Sequence, residues 1–169
     1  MINSRQEPQR VEPGSGRESV WDYPRPPRVE PEVRSVKIVF GGRTILETDR
    51  AFRVLETSHP PNIYVPFEDV VPGVLEANHR RTNCEWKGSA SYWDVVVGAS
   101  KAESAAWSYA TPRPGYEEIA GHLSFYPALM GACYLGDERV EPQPGKFYGG
   151  WITRDIVGPF KGAEGTWGW

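Results

Sequence analysis

The segment Asn83–Trp93 holds a thiol, an ammonium group, three aromatic rings, a glycine and two hydroxyls within eleven positions. A turn at Lys87-Gly88 would set the Lys87 ammonium beside backbone N–H groups, an arrangement that suits an anionic ligand. The segment is not a phosphate-binding P-loop, because Lys87 precedes its glycine and the pattern G-x-x-x-x-G-K-[ST] is absent. The structural alternative is that the rings fill a core while the Lys87 ammonium extends to water.

A covalent chemistry is the second hypothesis for the same segment. Cys84 lies near Lys87 in the sequence, so it is a candidate nucleophile with His59 as its base. Lys87 is itself a candidate reactive group. The alternative for Cys84 is a buried thiol that only fills the core, which is a common role for free cysteines.

A third set of residues predicts a binding cleft. The strand expected over Ala51–Thr57 places Arg53 and Glu56 on opposite faces. We expect the face with Arg53 to look toward Lys87, forming an aromatic-walled cationic cleft for a small planar or anionic ligand. The alternative for Arg53 is a surface ion pair, which contributes little to stability. The candidate ligand-binding residues are Arg53, His59, Tyr64, Trp86, Lys87, Tyr92, Trp107, Tyr109 and Tyr126.

The elements that must position these residues are short β-type runs separated by turn signals. Val36–Phe40 alternates in polarity, Gly41-Gly42 predicts a tight hairpin turn, and Thr44–Thr48 returns. Further strands are expected at Ala51–Thr57, Ile63–Val65, Arg80–Glu85, Ala90–Val97, Lys101–Tyr109, Leu123–Tyr126 and Ala132–Leu135. Pro66–Val71 and Tyr116–Gly121 indicate short helical turns. This pattern favours a mostly β fold, a compact antiparallel barrel or sandwich with one or two short helices.

Composition changes along the chain and predicts three parts. Residues 1–32 form a proline-rich tail, poorly ordered or docked through Trp21, with a polyproline ligand for another protein as the alternative. Residues 33–140 form the β domain. Residues 141–169 form an aromatic, Gly/Pro-rich arm that docks on the domain or on a second subunit, so a homodimer through the terminal arms is an open alternative.

The 169 residues carry a net charge of −3 and are 12% aromatic. This balance disfavours nucleic acid, although exposed rings beside Arg80-Arg81 are the alternative. Apolar runs are too short to span a bilayer, so no membrane partner is expected. The histidines and the two cysteines show no metal-ligand spacing, and no metal or cofactor is expected. Two separated cysteines and no early apolar run predict a reduced, cytoplasmic protein.

Four ordered blocks resemble the family known as domain of unknown function 427, over about Val33–Val140: Thr57–Pro66, Cys84–Trp93, Ala105–Tyr109 and Leu123–Tyr126. The resemblance implies a compact, mostly β domain with a concave face. The family is sometimes labelled nucleotidyltransferase-like, which implies a Gly-Gly turn followed by two carboxylates one residue apart. Gly41-Gly42 and Asp49 are present, but Ala51 stands at the position of the second carboxylate.

The sequence therefore predicts a small-molecule-binding β domain with an aromatic, cationic cleft. An enzyme acting on an anionic or aromatic metabolite is the second hypothesis, with Lys87, Cys84 or His59 as the reactive group. The third is a protein-interaction or homo-oligomerisation module, and a nucleotidyltransferase-like enzyme is a minority interpretation.

Overall fold

The structure, a computed structural model, describes residues 8–169. Within this range the chain forms strands and short 3₁₀ turns, and it contains no helix long and apolar enough to cross a membrane. The strands are β1 (Glu18–Ser19), β2 (Arg28–Pro31), β3 (Val36–Phe40), β4 (Arg43–Thr48), β5 (Phe52–Leu55), β6 (Asn62–Pro66), β7 (Leu75–Cys84), β8 (Gly88–Val97), β9 (Ser100–Ser108), β10 (His122–Phe125), β11 (Ala132–Leu135), β12 (Glu138–Arg139), β13 (Glu141–Pro142), β14 (Trp151–Ile152) and β15 (Ile156–Val157). The 3₁₀ turns are Val20–Asp22, Phe67–Asp69, Glu117–Ile119 and Pro127–Leu129.

Two antiparallel sheets form the body of the molecule. The larger has seven strands in the order β2-β5-β6-β10-β9-β8-β7, and the smaller has four in the order β12-β11-β3-β4. They face each other as a sandwich and do not close into a barrel, so the sandwich is the correct one of the two predicted architectures. Alternation explains the packing: in β3, Val36, Ile38 and Phe40 are buried while Lys37 is exposed.

The predicted two-glycine hairpin joins β3 to β4. Gly41 and Gly42 have φ values of 59° and 74°, a left-handed conformation that side chains with a Cβ rarely adopt. Two consecutive residues with positive φ match the twist of a tight antiparallel hairpin. The start of β7 was not predicted, because Leu75–His79 lies on a sheet edge and carries mostly exposed residues with no apolar alternation.

The seven-stranded sheet is apolar on both faces. One face packs on the four-stranded sheet, with Ile63, Val65, Leu123 and Phe125 in this main core. The other face carries a second cluster, which we call the outer-face cluster: Val54, Tyr64, Ala90, Tyr92, Trp107, Tyr109, Tyr116 and Ile119. Successive side chains of β6 point to opposite faces, as strand geometry requires, so Ile63 and Val65 belong to the main core and Tyr64 to the outer-face cluster.

The N-terminal part contributes to the sheets. Strand β2, which lies within the segment predicted as a tail, pairs with β5 from Arg28 to Pro31 and forms an edge of the large sheet. Prolines are tolerated at a sheet edge, where no neighbour needs their missing N–H, so this part of the predicted tail is docked on the domain. Upstream, β1 pairs in parallel with β15, and the Trp21 indole donates to the Pro159 carbonyl at 2.9 Å.

The C-terminal arm, residues 141–169, packs against its own domain. Trp151 is 1% exposed within the main core, and its indole N–H donates to the Phe125 carbonyl at 3.1 Å. Its backbone N–H donates to the Pro61 carbonyl at 2.8 Å. The arm is therefore a structural part of the sandwich.

We expect Trp151→Ala to lower the free energy of unfolding by about 3–5 kcal/mol, the usual cost of truncating a fully buried large ring. Trp167→Ala is the matched control, because Trp167 belongs to the same arm but is 78% exposed. It should change stability by less than about 0.5 kcal/mol. Urea denaturation measures both, and equal effects would contradict the arm's place in the core.

Candidate ligand-binding site

Four neighbouring strands set a row of side chains directly opposite one another on the outer face of the large sheet. Tyr64 in β6 faces Ser124 in β10, Ser124 faces Trp107 in β9, and Trp107 faces Tyr92 in β8. The small Ser124 leaves room for its two ring neighbours to meet: the Trp107 indole donates to the Tyr64 hydroxyl at 3.1 Å, with ring centroids 6.3 Å apart. This row forms an aromatic layer beneath the site.

Lys87 lies in the turn Glu85–Lys87 that joins β7 to β8. Its carbonyl accepts from the Arg113 N–H at 3.0 Å, and Gly88 follows with a φ of 109°. The side chain is directed into the protein, and Lys87 is only 6% exposed. Its Nζ lies 5.7 Å from the centroid of the Tyr109 ring. The alternative that Lys87 extends to bulk water is therefore wrong.

The Lys87 ammonium has unusual surroundings for a buried charge. Within the described residues no carboxylate lies within 4.0 Å of it, and its neighbours are the Tyr109 ring and the Tyr64 hydroxyl. Burial by itself lowers the pKa of Lys87. The nearby Tyr64, Cys84 and Glu56 side chains act in the opposite direction and hold the pKa above its ordinary value. Lys87 is therefore a cation at neutral pH, which does not suit a nucleophilic amine.

A cavity of about 320 Å³ opens beside this ammonium. Its volume is near the lower end of the range for small-molecule sites, about 300–1,000 Å³. The residues that line it are Val54, Glu56, His59, Pro60, Asn62, Thr82, Asn83, Cys84, Glu85, Trp86, Lys87, Tyr92, Trp107, Tyr109, Tyr126, Gln143, Phe147, Tyr148, Gly149 and Lys161. The strands supply its aromatic floor, and the C-terminal arm supplies one of its walls.

The arm passes very close to the Trp107 ring. A Cβ at Gly149 would lie 2.4 Å from Trp107 Cη2, so only glycine allows the backbone to run there. Tyr126 lies on the same indole, with ring centroids 4.6 Å apart, and its hydroxyl donates to the Phe147 carbonyl at 3.4 Å. These contacts fix the arm over the aromatic layer.

Gln143, a buried residue of the arm, determines the state of His59. The Gln143 Oε1 accepts from the Gly150 N–H at 3.0 Å, so the orientation of the amide is fixed. Its Nε2 donates to the Lys161 carbonyl at 2.8 Å and to His59 Nδ1 at 3.0 Å. Because Nδ1 must accept this second bond, neutral His59 carries its proton on Nε2.

His59 stays neutral for two further reasons. Burial is the largest, and the positive charges of Lys161, Arg25 and Lys87 add to it, so the pKa of His59 falls to about 3. A group with this pKa is a weak base at neutral pH, which does not suit the role of general base for Cys84. His59 is instead a neutral hydrogen-bond donor through Nε2–H, 3.5 Å from Glu56 Oε2.

The structure brings most of the predicted site residues together. Eight of them line the one cavity: His59, Cys84, Trp86, Lys87, Tyr92, Trp107, Tyr109 and Tyr126. Tyr64 is fully buried behind them, where it contacts Trp107 and Lys87.

Arg53 lies elsewhere, and its predicted place in the cleft is corrected. Its guanidinium pairs with Glu30 and with Glu18, at 3.0 Å for Glu18. Val54 and Glu56 line the cavity in its place. The strand exposes the face opposite to the expected one, because Leu55 is required in a separate apolar cluster with Val20.

The sequence did not identify the residues that the arm contributes, namely Gln143, Phe147, Tyr148, Gly149 and Lys161. Its ring-rich composition indicated docking, but irregular chain has no periodicity that tells which residues face a site. Gln143 carried no signal at all, because its role depends on three segments that meet only in the fold.

Comparison with known protein families gives one match. The model described as a domain of unknown function (DUF427) covers residues 28–136, more than half of the chain. The chain belongs to the DUF427 family. This confirms the resemblance seen in the four sequence blocks, and no curated protein matches the chain. The matched range of this DUF427 protein includes Lys87 and the aromatic floor, whereas the arm lies outside it.

The family model carries the short label NTP_transf_9, which refers to nucleotidyl transfer. The geometry at Gly41-Gly42 gives that chemistry no support. A Cβ at Gly41 would lie 2.9 Å from the Val97 Cβ, so this turn packs against a side chain. Across residues 8–169 there is also no group of three His, Cys, Asp or Glu side chains that could hold a metal ion.

The lowered pKa of His59 predicts a specific pH dependence of stability. An unfolded histidine has a pKa near 6.5, so as the pH falls the unfolded chain binds the proton first and is favoured. The stability that His59 contributes is complete above about pH 6.5 and is lost between there and about pH 3. We expect the free energy of unfolding to fall by about 2 kcal/mol between pH 7.5 and pH 5 because of His59.

Urea denaturation at several pH values measures this slope, and His59→Gln is the control because its side chain does not titrate. The variant should flatten the slope in this window. Carboxylates whose pKa values lie below the ordinary 3.8, such as Asp69 and Asp94, lose their contribution only at lower pH. An unchanged slope in His59→Gln would contradict the assignment.

The two free cysteines should differ in reactivity. Cys84 is half-buried and lines the cavity, whereas Cys133 is 2% exposed and burial raises the pKa of its thiol to about 12. We expect iodoacetamide at pH 7.5 to modify Cys84 alone in the folded protein and both thiols in urea, because the thiolate is the reactive form. Peptide mass spectrometry measures the site, and labelling of Cys133 at a comparable rate would contradict this placement.

Proposed function

We propose that this DUF427 protein binds a small anionic ligand in the aromatic cavity, with the negative group of the ligand on the Lys87 ammonium. One observation carries the proposal: a buried lysine that has no carboxylate partner within 4.0 Å among the described residues lines a cavity of ligand size. Burying a charge is costly unless it is paired, so a fold keeps such a group where it is used. An anionic ligand would supply the missing partner.

The walls support the same ligand class. The Trp107 and Tyr126 rings offer apolar faces to a planar group, and the Thr82 and Asn62 side chains add polar atoms. Burial raises the pKa values of Tyr64 and Tyr109, so both phenols stay neutral and add no negative charge near Lys87. A hydrophobic enclosure strengthens the attraction between an ammonium and an anion.

The other hypotheses have weaker support. Among the candidate reactive groups of an enzyme, the protonated Lys87 is a poor nucleophile and the neutral His59 is a weak base at pH 7. The Cys84 thiol, which lines the cavity, would therefore have to react without a base from this pair. An interaction or self-association module is favoured only by the exposed rings of Phe147 and Trp167. The free thiols Cys84 and Cys133 are compatible with the reduced, cytoplasmic location that we propose.

Lys87→Met tests the proposal, with benzoate as the probe and the midpoint of thermal unfolding as the measurement. Methionine is unbranched like lysine, one atom shorter and uncharged, so the variant should unfold at the same or a higher temperature than the wild type. Benzoate should raise the midpoint of the wild-type protein by mass action and leave that of Lys87→Met unchanged.

Lys37→Met is the matched control. Lys37 also lies over a tyrosine ring, at 5.8 Å from the centroid of Tyr134, but it is exposed on the other sheet. This variant should keep the full response to benzoate. An equal benzoate response in Lys87→Met and the wild type would overturn the proposal, as would the absence of any response.

A further inference from the structure

The hydrogen bond from the Gln143 amide fixes Nε2 as the nitrogen of His59 that carries a proton and donates it. This fixed donor limits the class of ligand that fits the cavity. Three hydrogen bonds hold the Gln143 amide: both of its N–H groups donate, to Lys161 and His59, and its oxygen accepts from Gly150. Gln143 is 3% exposed, so water does not compete for these bonds. The only proton that His59 can then offer is on Nε2.

Within residues 8–169 the Nε2–H group of His59 has no strong hydrogen-bond partner. Its nearest acceptor is Glu56 Oε2 at 3.5 Å, beyond the ordinary N–H···O distance of about 2.7–3.2 Å. Glu56 is also held by Arg25, whose Nε lies 3.7 Å from the same oxygen. An acceptor atom of a ligand can therefore receive a hydrogen bond from His59 Nε2–H without leaving Glu56 unpaired.

The charges around the cavity limit the charge of the ligand. Two carboxylates, Glu56 and Glu85, and two ammonium groups, Lys87 and Lys161, line it. The Lys161 ammonium keeps its charge, and one of its three N–H groups donates to the Trp169 carbonyl at 3.1 Å. The two cations and two carboxylates give the lining zero net charge, which suits a monoanion better than a phosphate dianion or a polyphosphate.

We propose that the ligand is a planar monoanion of the aromatic carboxylate class with a carbonyl-type acceptor at its far end. The carboxylate lies on Lys87, the ring lies against Trp107, and the acceptor receives the His59 Nε2–H. Gln143 is the positioning residue, because it fixes which nitrogen of His59 donates. This inference rests on the proposed function and goes beyond it by naming the ligand class and a second point of recognition.

Binding of two carboxylates that differ at one end tests this assignment. Isothermal titration of the wild-type protein should show 4-acetylbenzoate binding about fivefold more tightly than benzoate, the gain expected from one neutral hydrogen bond. Phenyl phosphate should bind more weakly than benzoate. In His59→Phe the preference, which is the ratio of the two affinities measured on the same variant, should disappear.

A second measurement does not depend on any ligand. The ¹⁵N spectrum of His59 in the wild-type protein should show the Nε2–H tautomer without titration between pH 5 and pH 8. Gln143→Met removes the donor to Nδ1, so the proton of the neutral ring should distribute over both nitrogens and the preference for 4-acetylbenzoate should fall. If this variant does not fold, the wild-type spectrum and His59→Phe still decide the matter.

The outcomes separate the two proposals. If benzoate binding is lost in Lys87→Met, the proposed function stands. If the wild-type protein then shows no preference for 4-acetylbenzoate, or if this preference survives in His59→Phe, the ligand class is overturned. A proton on Nδ1, or tighter binding of phenyl phosphate, also overturns the ligand class. Benzoate binding that is absent, or that is unaffected by Lys87→Met, overturns the proposed function itself.

Discussion

The site depends on an ammonium group held inside an aromatic enclosure. Lys87 reaches the outer face of the large sheet because the β7–β8 turn directs it inward, and it meets the Tyr109 ring and the Tyr64 hydroxyl there. These groups attract a cation weakly compared with a carboxylate, and they leave its charge uncompensated. The same charge contributes, after burial and the charges of Lys161 and Arg25, to the low pKa that keeps His59 neutral.

The C-terminal arm connects the stability of the fold to the shape of the site. Trp151 fills the main core, and a few residues away Gly149 crosses the Trp107 ring while Gln143 holds His59. The floor of the cavity, with Lys87, lies within residues 28–136 that match the DUF427 family, whereas this wall lies beyond them. Lys87 is therefore part of the family domain, and one wall of the cavity is added by the arm.

Much of the fold could be predicted because local signals agree with it. Val36–Phe40 and the Gly41-Gly42 turn show alternation and turn chemistry that only a hairpin satisfies. Arg53 shows the limit of such reasoning: alternation separates the two faces of a strand but does not tell which face meets which layer. The orientation of this strand follows from the burial of Leu55, which packs against residues of the N-terminal segment.

The site was predictable to the extent that it is built on strands. Tyr92 and Trp107 lie opposite each other on regular strands, whose alternation is visible in the sequence, and Lys87 lies in the turn that Gly88 marks. The hydrogen-bond chain through Gln143 was not predictable, since it joins a loop and two irregular stretches of the arm, and no spacing in the sequence records such a meeting.

Lys87 differs in its partners from other cations of the molecule that are partly buried. Arg53 is partly buried and pairs with Glu18 and Glu30, and the half-buried Arg34 pairs with Glu32 at 2.9 Å. These two arginines, which lie outside the cavity, are thus paired with carboxylates. Among residues 8–169 Lys87 is the only cation in the buried class, and it is surrounded by rings and hydroxyls. This contrast supports the proposed anionic partner, because Lys87 is buried with no carboxylate within 4.0 Å among the described residues.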